Sequence, residues 1–121
     1  MPLVDVTYDA TVPADALRTL GDLLPQLVCE AVDCPEEPCV GPMQVGDIEI
    51  RFRAKGSLDV GDLNCVIEVR TKRFASRERD KQRRADLIRD RISRRVALGA
   101  FGAFGVWLVL YEGAWSQTPE T

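Results

Sequence analysis

Residues 1–10 read MPLVDVTYDA, and the fold turns on them. Val4, Val6 and Tyr8 alternate with polar neighbours, so residues 2–8 predict a strand with those three side chains on one face. Proline is a poor residue inside a sheet and a harmless one at the first position of a strand. Pro2 therefore has two readings. It merely starts the strand, or Met1 is removed and Pro2 carries a free secondary amine with chemistry of its own.

Working outward, residues 11–32, TVPADALRTLGDLLPQLVCEAV, predict a helix. Pro13 suits its first turn, where the missing N–H is no loss. Leu17, Leu20, Leu24, Leu27, Val28 and Ala31 recur at helical spacing. Pro25 predicts a kink or a break near Leu24. Residues 33–47, DCPEEPCVGPMQVGD, read as a loop. DIEIRFRAK alternates as a second strand, with Ile48, Ile50 and Phe52 opposite Glu49, Arg51 and Arg53. GSLDVGD turns the chain. LNCVIEVRTKRF predicts a third strand, after which Ser76 can cap a second helix. Ala85, Ile88, Ile92 and Val96 form the apolar stripe of that helix, and Gly99 suits its end. FGVWLVLYE is a continuous apolar run, as expected of a buried strand. The tail frays after Trp115 and Ser116.

The order strand, helix, strand, strand, helix, strand predicts a two-layer α/β subunit in one domain, residues 1–121. Each β-α-β half brings two strands parallel. Joined by a hairpin-like turn, the halves give a four-stranded sheet with both helices on one face. The other face would bear Val, Ile and Trp, which do not stay in water. That argues for an oligomer whose bare faces meet.

With 45% apolar and 29% charged residues the composition is that of an ordinary globular domain. The start has neither a basic nor an apolar leader region. The longest apolar run, FGAFGVWLVLY, falls far short of the roughly 20 residues that span a bilayer. A cytoplasmic protein without membrane contact is expected. Cys29, Cys34, Cys39 and Cys65 lack the paired close spacing of a zinc site, so no metal is expected. In a cytoplasmic chain they are expected to be reduced thiols, with Cys65 in the core. The chain has no histidine. Any enzymatic base must then be a carboxylate, a lysine or a terminal amine.

Three local stretches join Pro2 in a resemblance. RFRA, residues 51–54, resembles an Arg-x-Arg-Ala stretch in the second strand of 5-carboxymethyl-2-hydroxymuconate isomerases. RTKRFASRERDKQ, residues 70–82, resembles a strand-to-helix junction that carries an active-site arginine. YEGAWSQ, residues 111–117, resembles the Asp-Trp-Ser segment of malonate semialdehyde decarboxylases. Together with the element order and the length, these make the chain resemble the tautomerase superfamily over nearly its whole extent, the migration inhibitory factor type included. The resemblance implies a trimer and a catalytic Pro2 without a cofactor. It departs from the family at Asp9 and Thr11, near where several members carry an arginine.

Under that resemblance a neutral Pro2 amine is a general base. An ordinary α-amino group titrates near 7.7–8.0, and burial or nearby cations lower that value. Such a base takes a proton from the carbon beside a carbonyl and returns it at the far end of a conjugated enol. The substrate, a small keto–enol acid, needs cations for its carboxylate and developing enolate. Arg73 matches the junction arginine, Arg51 and Arg53 share a strand face, and Arg77 is the reserve. Each of these arginines also reads as a surface charge or a subunit contact.

Two further readings stay open. A protonated Pro2 could polarise a carbonyl for decarboxylation, hydration or dehalogenation, with Glu37 or Glu112 placing water or substrate; Glu36 lies in the same loop. A non-catalytic binding protein on the same fold would instead use its basic segment. Residues 70–95 hold twelve of the 16 Lys and Arg side chains, with four acids among them. The acids sit at spacings that form helical ion pairs, and Phe74 is the one aromatic available for base stacking. A solvated helix face is expected there, and nucleic acid is not.

Overall fold

The structure is a computed structural model and describes residues 2–39, 44–96 and 101–119. Four strands form one mixed sheet: β1 (Leu3–Tyr8), β2 (Glu49–Ala54), β3 (Cys65–Lys72) and β4 (Phe104–Tyr111). Their order across the sheet is β2-β1-β3-β4. β1 runs parallel to β2 from Leu3 against Glu49, and antiparallel to β3 with Leu3 against Arg70. β3 and β4 run parallel, with Cys65 against Phe104. The helices are α1 (Ala14–Ala31), α2 (Ala75–Arg79) and α3 (Lys81–Arg95), and Val45–Asp47 form one 3-10 turn.

The two expected halves are present, but no hairpin joins them. β2 is an edge strand and β3 pairs with β1, so residues 55–64 must pass over the end of β1. The Lys55 N–H donates to the Tyr8 carbonyl at 2.8 Å, and the Asp9 N–H to the Asn64 carbonyl at 2.7 Å. Lys55 Nζ also donates to the Leu63 carbonyl. β-Strand alternation puts Val4 and Val6 of β1, and Ile67 and Val69 of β3, on the helix side, where all four are buried. Leu20, Leu24 and Val28 of α1 and Ile88 and Ile92 of α3 complete one apolar core with them.

Pro25 does not break the first helix: α1 runs unbroken from Ala14 to Ala31. Leu20, Leu24, Leu27 and Val28 are all buried around it, and packing of that stripe outweighs the lost hydrogen bond. Gly21 faces β2, and a Cβ there would meet the Phe52 ring at 3.5 Å, an ordinary van der Waals distance. Ser76 does not cap the second helix. Phe74 holds the cap position, and the Ser76 hydroxyl lies inside α2, donating to the Glu36 carboxylate. The second helix is in fact two, parted at Asp80, whose carboxylate accepts Arg84 Nε at 2.6 Å. Gly99 lies outside the described residues. Gly102 precedes β4 at φ +62°, a left-handed turn that glycine enters without strain.

The cysteines also differ from expectation. Cys29 and Cys39 form a disulfide, with Cys34 and Cys65 free and buried. The chain leaves α1, turns, and returns so that the two Cα atoms lie 5.2 Å apart, inside bridging range. Asp33 fixes the return, its carboxylate accepting the Cys39 N–H at 2.7 Å.

The outer face is more charged than its predicted Val, Ile and Trp. By alternation β1 gives it Leu3, Asp5 and Thr7, and β2 gives it Glu49, Arg51 and Arg53. Glu68 and Arg70 of β3 pair there at 3.1 Å. β4 adds apolar side chains to this face, with Trp107 67% exposed beside Val109 and Tyr111. Among the described residues no helix is long and apolar enough to cross a membrane.

Candidate active site

β1 begins where β3 ends, so the antiparallel centre of the sheet brings the start of the chain to the β3–α2 junction. Pro2 is buried there, and its carbonyl accepts the Glu49 N–H at 3.3 Å. One step beyond the Leu3–Arg70 pair, Pro2 lies opposite Thr71. α1 runs back from the far end and finishes on this side. Both loops that follow, residues 32–39 after α1 and 73–74 after β3, thus open at the proline end.

Arg73 stands at that junction. Its backbone N–H donates to the Tyr111 carbonyl at 2.8 Å and so continues the β3–β4 ladder by one bond. Its half-exposed guanidinium lies 3.6 Å from Glu112 and 3.6 Å from Glu78. Lys81, with Arg73, holds the Glu78 carboxyl below its ordinary range. Glu112 is exposed just past the end of β4. The sheet end therefore gathers Pro2, Arg73 and Glu112, three residues singled out from the sequence.

Arg77 reaches the same end but points inward. Its side chain is 0% exposed, and all three guanidinium nitrogens donate. Nε gives a bond to the Val32 carbonyl at 2.7 Å, Nη1 to the Lys72 carbonyl at 2.9 Å, and Nη2 to Glu37 Oε1 at 3.0 Å. The Phe74 ring covers it, 5.2 Å from the guanidinium carbon. A second arginine, Arg84, donates to the Ala31 and Asp33 carbonyls at 3.0 and 2.6 Å. Together they give donors to the Ala31, Val32 and Asp33 carbonyls where α1 ends. Glu37 is thereby committed to Arg77, and its neighbour Glu36 to Ser76. That hydroxyl holds the Glu36 carboxyl below its ordinary range.

Arg51 and Arg53 are not brought to Pro2. They stand on the outer face of β2, against Asp5 and Thr7, whereas Pro2 shares the inner face with Val4 and Val6. Arg51 is exposed, 3.8 Å from Glu49. The basic helices carry their charge largely in pairs, among them Lys81–Glu78, Arg84–Asp80, Arg89–Asp86 and Arg91–Glu30.

Sequence reasoning missed Thr71. It is wholly buried, and among the described residues its hydroxyl is the one buried side-chain oxygen or nitrogen without a hydrogen-bond partner. The signal was legible: the inward positions of β3 are Cys65, Ile67, Val69 and Thr71, and the polar exception falls at the proline end.

No protein-family model and no curated protein matches the chain. Solved structures do. A 5-carboxymethyl-2-hydroxymuconate isomerase from Deinococcus radiodurans R1 matches with a TM-score of 0.62 at 15% identity, over 98% of this chain and 90% of its own. A macrophage migration inhibitory factor-like protein from Entamoeba histolytica matches with a TM-score of 0.59 at 8% identity, over 97% of this chain and 95% of its own. A fused 4-OT symmetric trimer matches with a TM-score of 0.57 at 12% identity, over 90% and 85%. At such identities the likeness is one of architecture, and it extends over nearly every element described above. The chain has the fold of the tautomerase superfamily.

Proposed function

We propose that the chain is a cofactor-independent tautomerase in which Pro2, freed by removal of Met1, is the general base. What supports this reading is that a buried Pro2 and the half-exposed guanidinium of Arg73 fall at the same end of the sheet. A buried secondary amine beside a cation favours its neutral form, which is the form that accepts a proton. Arg73 faces the solvent from which an acidic substrate arrives and can grip its carboxylate or enolate oxygen with two N–H donors. Pro2 then removes a proton beside the carbonyl and delivers it to the distal carbon of the enol, with no net change in composition.

In this reading Arg77 and Glu37 build the wall of the site rather than touch substrate. Arg51 and Arg53, on the opposite sheet face, serve the contact between subunits. Self-association draws support from the symmetric trimer among the similar folds and from the exposed apolar side chains Trp107, Leu58 and Val60. We take the assembly to be a homotrimer.

A second reading rests on Glu112 beside Arg73. If Pro2 works protonated, it polarises a carbonyl while Glu112 places water or substrate for decarboxylation or hydration. Turnover of phenylenolpyruvate and 2-hydroxymuconate by the wild type and by Pro2→Ala separates the readings. Ketonisation lost in the variant supports the tautomerase. Ketonisation retained removes Pro2 from the reaction, and product short of carbon dioxide with no ketonisation favours the second reading.

A further inference from the structure

An orphaned hydroxyl in a dry interior is costly, because it gives up water and gains no protein partner. At position 71 valine would have the same shape and no such cost, and the inward row of β3 is otherwise apolar: Cys65, Ile67 and Val69 are each wholly buried. Threonine interrupts that row at its last position, at the proline end of the sheet. Pro2 and Thr71 occupy facing positions on neighbouring antiparallel strands, one step beyond the Leu3–Arg70 pair, and both lie on the helix side. Side chains so placed stand about 4.5–5.5 Å apart at Cβ, within reach of a hydroxyl. The hydroxyl can accept one hydrogen bond while donating another.

We propose that Thr71 is a positioning residue whose hydroxyl oxygen accepts an N–H from the freed Pro2 amine. The proposal rests on the reading of Pro2 as a free base. A neutral secondary amine has one N–H and one lone pair. Holding the N–H on Thr71 fixes the orientation of the lone pair at the open end of the sheet. After proton abstraction the amine has two N–H groups, and one still rests on Thr71. The orphan is then no defect of the core. Its partner is an amine that exists only once Met1 is gone. The other charged groups at this end are Arg73, Arg77, Glu36, Glu37, Glu78, Lys81, Glu112, Lys72 and Glu49. Arg73 pairs with Glu78 and Glu112, Lys81 with Glu78 and Arg77 with Glu37, and Glu36 accepts the Ser76 hydroxyl, while Lys72 and Glu49 belong by alternation to the outer face.

The test needs no knowledge of the natural substrate. Bromoacetate alkylates the neutral Pro2 amine, forming an N–C bond with loss of bromide. Mass spectrometry of the N-terminal peptide across pH gives the midpoint of that reaction. An oxygen that accepts the N–H favours the protonated amine, so its removal lowers the midpoint. Thr71→Val and Thr71→Ala should each move it down by about half a unit to one unit, and Thr71→Ser should leave it near wild type. An unmoved midpoint in both hydroxyl-free variants overturns the role of Thr71 and leaves Pro2 standing. Retention of Met1, with no alkylation of Pro2 at any pH, overturns both.

Discussion

Arg77 donates from Nη2 to Glu37 Oε1 at 3.0 Å from a position wholly closed to solvent, tying the start of α2 to the loop after α1. Truncating it leaves Glu37 without its cation and the Val32 and Lys72 carbonyls without their donor. Breaking a buried pair of this kind costs about 3–5 kcal/mol. Arg77→Ala should lose that much in urea unfolding. Arg77→Lys should recover little, because one ammonium cannot replace a three-way fork. Wild-type stability in Arg77→Ala would show that the clamp is idle.

The thiols should divide by exposure and by state. Burial pushes the Cys65 thiol up to about 11, with Lys55 opposing weakly. Its folded value exceeds its unfolded one, so the stabilisation it gives holds below about pH 9 and falls away as pH rises toward 11. Thiol titration without reductant should count no reactive cysteine in the native protein at neutral pH. Denaturation should reveal two, Cys34 and Cys65, and reductant all four. Loss of the Cys29–Cys39 bridge should lower stability by about 2–4 kcal/mol. Four thiols before reduction would remove the disulfide from the account.

Arg73 and the Arg51–Arg53 pair should part in their effects. Loss of a charge-assisted contact to substrate costs about 1.5–3 kcal/mol, so Arg73→Ala should lower kcat/KM by roughly tenfold to a hundredfold. Arg51→Ala and Arg53→Ala should leave kcat per assembled subunit near wild type and shift the oligomer's dissociation instead. Steady-state kinetics beside sedimentation decides the matter. Arg51→Ala impairing turnover in an intact oligomer would put that face into the site.

Acid should loosen the proline end before the core. Glu36 and Glu78 are both held below the ordinary carboxylate value of 4.5, chiefly by Ser76 and by Lys81. A depressed folded value means that the stabilisation is present above 4.5 and lost as pH falls through the lower, folded value. Glu36→Gln and Glu78→Gln should each flatten the acid limb of a stability profile. An unchanged limb in the double variant would assign it to other carboxylates.

Much of the fold was legible because alternation and helical spacing report directly which side chains turn inward. Val4 and Val6, Ile67 and Val69, and the stripe of α1 fall where the pattern puts them. The pattern was silent on which strand β3 would choose, since pairing with β1 or with β2 buries the same inward row. The break expected at Pro25 does not occur, because local propensity weighs one residue, whereas the fold weighs the whole buried stripe around it. At the site, residue type pointed to Pro2, Arg73 and Glu112. It could not tell an exposed guanidinium from a buried one, and Arg77 faces inward because the carbonyls ending α1 need donors. The alternation of β2 did separate Arg51 and Arg53 from its inward row. Their distance from Pro2 followed only once β1 and β2 were paired in register.

Whether the Pro2 nitrogen is free is read from the intact mass of the protein purified from cells. A chain lighter by one methionine residue is expected, with proline as the first residue released in N-terminal sequencing. A chain that keeps Met1 would have an amide where the base must be, and Pro2 could not act.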